Sequence, residues 1–257
     1  MSLDSYLIGT LLVVASVLVS MLGLLIVRRL LDIERLASAH DISGNFLSIV
    51  GTMYAVLLGL IVVDAMGRYQ KATMNVEEET NQLADIVYLG DRMPTEKRKE
   101  IRSLAIQYAQ VVSHHEWSEM SHGRHNTEAQ GAVLKLMAAV RDWEPNTESE
   151  KAIYATALVA ATDLWNARRE RLIVCQQGVP VLEWFIVVLG GIVTIGLTYV
   201  FVFEDVRIQL ALTAMVTLLI ALNVYLIVMF GYPFSGDLKV DPNSFHSALS
   251  VFELTGT

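Results

Sequence analysis

The chain has one cysteine, Cys175, in 257 residues. That excludes a disulfide within one chain and leaves a reduced, inert thiol. Other absences are equally informative. No Lys or Arg precedes the first apolar run, and that run exceeds a normal signal core, so it reads as a retained helix. No Asp, Glu, Lys, Arg or His occupies the middle of any long apolar run, which argues against a proton pump or proton-coupled carrier built on a membrane carboxylate. There is no basic excess: 19 Lys plus Arg stand against 27 Asp plus Glu, net −8, so no nucleic-acid footprint is visible. HExxH, paired-Cys, phosphate-loop, dinucleotide and serine-elbow patterns are all missing, so the chain reads as a non-enzyme without a cofactor. His114 and His115 point about 100° apart on a helix, and with His122 and His125 they read as ordinary histidines rather than a metal site.

What is present is four uncharged apolar runs, Tyr6–Val27, Ile42–Val63, Trp184–Phe203 and Ile208–Phe230. Each is close to the roughly 20 residues that a helix needs to cross the hydrocarbon core. The organisation read from them is residues 1–63 with two spans, 64–183 as a helical cytoplasmic block, 184–230 with two more spans, and 231–257 as a tail. The block is marginal as an independent core and leans on the spans or on other subunits. Four spans put both termini and the block on one side, with the loops Asp32–Asp41 and Glu204–Arg207 opposite. Arg68, Lys71, Arg168, Arg169, Arg171 and Lys239 tilt the positive-inside rule towards a cytoplasmic block, against Arg28, Arg29, Arg35 and Arg207.

The block shows helical periods and few strand alternations. Asp64–Leu89 has no proline and continues the second span as one helix. Thr95 follows Pro94 as an N-cap for a helix to Trp117, with Ile101, Leu104, Tyr108, Val111 and His115 as its buried stripe. A shorter helix is expected near Glu128–Trp143. Thr147 and Glu150 have capping-box spacing and open a helix over Glu148–Gln176, striped by Ile153, Ala157, Ala160, Leu164 and Ala167. Two charges fall on apolar faces: Glu79 near Val76, Leu83 and Val87, and Arg171 in line with Ile153, Ala160 and Leu164. Buried charges are costly unless paired, so Glu79 and Arg171 are expected as a structural ion pair.

In the second span, Ser48, Gly51, Thr52, Ala55 and Gly59 form a face of small residues, fit for close helix approach. Phe46, Val50, Met53, Leu57 and Ile61 lie on the opposite side, with Asp64 at the boundary. Around an axis, the large face makes an apolar constriction, and the small face, Ser48, Thr52, Ala55 and Gly59, makes a wider path. Asp64 would form an acidic ring at the mouth in either case. Asn223 in the fourth span is a candidate interhelical hydrogen bond.

Several stretches resemble the DUF4239 family of bestrophin-like bacterial membrane proteins. They are Gly51-Thr52 with Tyr54–Gly59, then Glu79, Glu116-Trp117, the Arg168, Arg169 and Arg171 group, Pro180 with Trp184, and Pro233-Phe234-Ser235-Gly236 followed by Val240 and Phe245. The family is distantly similar to bestrophins, pentameric ion channels with four membrane helices, cytoplasmic termini and a pore lined by the second helix. The resemblance implies an all-α, bestrophin-like membrane protein with a helical cytoplasmic bundle. It also implies a homo-oligomer, most simply a pentamer, multi-pass in the lipid of the bacterial inner membrane and passing inorganic ions. Phe46 is the only phenylalanine in the second span, so the bestrophin aromatic neck has no match, and no run of acids resembles the calcium clasp. Calcium gating and anion selectivity are therefore not carried over, and Asp64 with the overall acidity points to cations. The rival reading is a non-conducting scaffold or sensor that binds a partner through its cytoplasmic helices.

Overall fold

The computed structural model describes residues 5–30, 40–201, 203 and 205–254, with the side chains of 40–47 and 254 set aside. The loop expected at Asp32–Asp41, most of it, and Glu204 lie outside the described residues. The chain is all-helical, and no strand occurs among the described residues. Among the described residues, four helical stretches are long and apolar enough to cross a membrane.

The elements are α1 (Tyr6–Leu30), α2 (His40–Gly90), α3 (Thr95–Val111), a π-helical turn (Val112–Glu116), α4 (Trp117–Met120), α5 (Thr127–Arg141), α6 (Glu148–Gln176), α7 (Val181–Val200), α8 (Val206–Gly231) and α9 (Asn243–Leu254). Helix α2 is a single element of 51 residues, so the second apolar run and the polar segment after it do form one helix. They divide between two compact units: residues 1–68, 179–232 and 236–238, and residues 69–178, 233–235 and 239–257.

In the first unit, α1 and α8 are joined by polar contacts inside apolar sequence. Ser20 Oγ lies 2.7 Å from Thr217 Oγ1, and Arg28 Nη1 donates to Gln209 Oε1 at 2.7 Å. Such pairs matter in hydrocarbon, where an unpaired polar group has no water to turn to. Asn223 departs from expectation: its amide bonds Leu219 O of its own helix at 2.8 Å, which satisfies the donor without a neighbour.

A close helix approach of α2 within the chain is made by Tyr54. Gly51 and Gly59 have nothing within 4 Å of where a Cβ would stand. Instead Tyr54, on another side of α2, lays its ring on Gly190 and Gly191 of α7 and donates from Oη to Val187 O at 2.8 Å. A Cβ on Gly190 would lie 2.3 Å from the Tyr54 ring, which the hydroxyl bond holds in place. Gly190→Ala should therefore cost about 1–3 kcal/mol by overpacking. Melts of the single variants and of the pair with Tyr54→Ala check this: the two costs should combine to less than their sum, because the clash needs both residues. Strict additivity would refute the contact.

In the second unit, the later part of α2 packs with α3, α5, α6 and the tail around Leu83, Ile101, Tyr108, Leu136, Leu164 and Phe245. Thr147 and Glu150 form the capping box that opens α6. Asn126 caps α5 by accepting from Glu128 N and Ala129 N. Thr95 is not a cap; Pro94 stands at that position and Thr95 is the first helical residue, because Pro94 has the extended backbone that an N-cap needs. Trp117 is held by the tail: Phe234 and Phe245 meet its ring edge-on at 5.8 and 5.9 Å, and its Nε1 donates to Val240 O at 3.0 Å.

Candidate functional site

Two groups of residues carry the functional question, one in each unit. On α2 in the first unit, the helix packs through Tyr54 and Leu58, with Ile61 and Val62 against the same cluster. The remaining candidates lie on either side of that contact. Met53 and Leu57 are 64% and 44% exposed, Asp64 is exposed, and Val50 is half-buried. Ile61, placed by sequence on the large face, is half-buried against the cluster of Tyr54, Leu58, Val179, Val187 and Ile227. It falls at the edge of the packed side, about 40° beyond Leu57 in helical phase. The side chain of Phe46 lies outside the described residues. The small residues Ser48, Thr52, Ala55 and Gly59 are all exposed. Thus, among the described side chains and with Val50 and Ile61 apart, the candidates on both faces are exposed within one chain. Asp64 is not a bare charge: Arg68 Nε donates to its carboxylate at 2.7 Å, one turn along the helix.

In the second unit, four charges and a phenol are withdrawn from solvent. Glu79, Glu116, Arg168, Arg171 and Tyr108 are each at most 2% exposed. Arg171 Nε meets Glu79 Oε2 at 2.5 Å, and its Nη2 reaches both Glu79 Oε1 and Glu116 Oε2 at 2.9 Å. Arg168 clamps Glu116 with two bonds of 2.6 and 2.5 Å. The Tyr108 hydroxyl donates to Glu79 and accepts from Arg168 Nη1 at 3.3 Å. Arg171 also lies over the Trp117 ring, 5.4 Å from its centroid. Two guanidiniums balance two carboxylates, so the cluster is neutral. Glu79 and Arg171, paired above from helical phase, are brought together; Glu116 and Arg168 complete the set.

The π turn explains why Glu116 escaped that phase argument. On an unbroken α-helix, His115 falls about 20° from Tyr108 and Glu116 about 80° away. One extra residue in the turn takes back about 100°. Glu116 then aligns with Tyr108, and His115, expected in the buried stripe, turns out to solvent, 3.1 Å from Glu128. His114 stacks edge-on against His246 of α9 with ring centroids 5.7 Å apart. Among the described residues, no three metal-capable side chains converge.

Burial alone would raise the Glu116 carboxyl, but Arg171 and Arg168 outweigh it and hold the group below its ordinary value of 4.5. Burial and the neighbouring Glu79 carboxylate push the Tyr108 hydroxyl upward, so it stays protonated and can donate. Burial also raises the Cys175 thiol, to about 11; its Sγ donates to Met120 O at 3.3 Å. For Glu116 the sign follows directly. A depressed carboxyl stabilises the fold above its unfolded value, and that contribution is lost as pH falls through the folded value. Thermal melts across the acid range should show the second unit weakening below about pH 4.5. Glu116→Gln should flatten that slope while lowering stability at neutral pH; an unchanged slope would refute the assignment.

Four long apolar helices with a second, charge-knotted helical unit define an all-helical membrane protein. Residues 14–245 match the bestrophin-like domain, and the chain belongs to that family. The fold is also that of solved bestrophin structures. Two mutant forms of a bacterial bestrophin homologue from Klebsiella pneumoniae superpose with TM-scores of 0.73 and 0.70 at 12% identity, each covering 95% of this chain and 99% of the other. A further membrane protein superposes at 0.69, with the same identity and coverage. No curated protein matches in sequence.

Proposed function

We propose that copies of this chain assemble as a ring, most simply of five, around an axis lined by α2, and that the ring passes inorganic ions. The reading puts the protein in the inner membrane with both termini and residues 64–183 on the cytoplasmic side. It prefers cations to anions. The observation that carries it is the apolar flank of α2: in a member of the bestrophin-like family, Met53, Val56, Leu57, Leu60 and Val63 are all exposed among the described residues. One chain's four spans leave no conduit of useful width, so conduction requires a ring.

Cation preference draws on Asp64, whose charge Arg68 partly offsets. Asp64 stands one heptad beyond Leu57, a drift of only about 20°, so the two share one side of α2. Its side chain is exposed. Repeated around an axis, Asp64 would raise the local concentration of cations.

Mass measurement in detergent, followed by recording in planar bilayers under asymmetric salt, tests the proposal. A ring mass and a reversal potential on the cation side are the expected results. Monomers alone would overturn it. A ring that carries no current would favour the non-conducting scaffold or sensor.

A further inference from the structure

The second unit carries a groove of about 230 Å³ on the outward side of α6, lined among others by His125, Gln130, Trp165, Arg169, Ile173 and Gln176. No Asp or Glu lines it. In the run Arg168-Arg169-Glu170-Arg171, three members are spent: Arg168 and Arg171 on buried carboxylates, Glu170 on Lys71 at 3.6 Å. Arg169 is the exception, exposed and without an ion pair or side-chain hydrogen bond among the described residues. The indole N–H of Trp165 and the amide of Gln130 likewise have no partner there, whereas Gln176 Nε2 lies 3.4 Å from His125 Nδ1. The groove therefore offers unspent donors, one fixed positive charge and a flat ring beside Leu172 and Ile173, with no carboxylate of its own to satisfy them.

We propose that this groove binds a small organic anion, a carboxylate on a flat apolar body, with Arg169 pairing the carboxylate and Trp165 stacking on the body. Guanidinium matches carboxylate in a two-pronged geometry and remains charged at any relevant pH. The volume is below that of typical drug-sized sites, which selects a single-ring acid over a nucleotide. Inorganic phosphate would meet the charge but leave Trp165, Leu172 and Ile173 unused.

The test is titration calorimetry on the full-length protein in detergent, with benzoate, benzyl alcohol and inorganic phosphate as probes. Benzoate should bind; the neutral alcohol should bind at least about tenfold more weakly for want of the charge-assisted pair, and phosphate about tenfold more weakly for want of the apolar contact with Trp165, Leu172 and Ile173. Arg169→Gln and Trp165→Leu should each weaken benzoate by a similar factor while leaving assembly mass and melting temperature unchanged. No heat with benzoate, equal binding of benzoate and benzyl alcohol, or wild-type affinity in Arg169→Gln would overturn the proposal. A smaller assembly in Arg169→Gln without any ligand would also overturn it, by assigning the groove to a contact between copies. Binding is read here without current, so the result stands apart from the channel reading.

Discussion

Arg171→Met is expected to destabilise the second unit by about 3–5 kcal/mol, the usual cost of removing one partner from a buried ionic pair. Among the described residues, Arg171 alone bonds both buried carboxylates, Glu79 and Glu116, and it is fully buried itself. Its loss leaves two carboxylates with one guanidinium, and Glu79 keeps only the Tyr108 hydroxyl. Arg168→Met should cost less, because Glu116 retains Arg171 at 2.9 Å. The two single losses should also not add, since both act on Glu116. Thermal melts should place the Arg171 variant lower by on the order of 10 °C. Its deficit should shrink on acidification, since a protonated carboxyl needs no cation, whereas the wild type weakens in acid. A cost under about 1 kcal/mol, in the range of an exposed pair, would mean the cluster is not closed to water in solution.

Much of this architecture is legible in the residues because the signals are physical necessities. Long uncharged runs have few other uses, and the proline-free segment after the second run leaves no reason for its helix to stop before Gly90. Glu79 and Arg171 stand out because each interrupts an apolar stripe, and Thr147 with Glu150 because the capping box is purely local. What stays hidden is phase. A π turn leaves no mark in composition, yet it exchanges His115 for Glu116. Within the spans nearly every position is apolar, so periodicity cannot separate a helix-facing side from a lipid-facing one. That is why the two faces of α2 cannot be told apart from sequence, and why the contact of Tyr54 with Gly190 and Gly191 of α7 is not visible there. An axis between copies would be less legible still, since Met53, Leu57 and Asp64 on one flank and Ser48, Thr52, Ala55 and Gly59 on the other are alike exposed in one chain.

Substitution along α2 should separate the two pore designs. Leu57 is exposed on the flank where large side chains stand, and as a ring it would form a constriction narrow and apolar enough to shed water. Leu57→Ser should then raise single-channel conductance several-fold, because a hydroxyl holds water where an isobutyl group repels it. Ile61→Ser should not, since Ile61 packs on Tyr54 and Leu58; its expected effect is lower stability without higher conductance. Thr52→Val tests the other flank. Thr52 is exposed, but its hydroxyl already donates to Ser48 O at 2.7 Å, so losing it should barely change the current if the large side chains form the neck. If instead Leu57→Ser conducts like the wild type while Thr52→Val falls sharply, the axis runs along Ser48, Thr52, Ala55 and Gly59. Their small side chains would then make the wider, wetter path, and selectivity would rest with Asp64 rather than with an apolar gate.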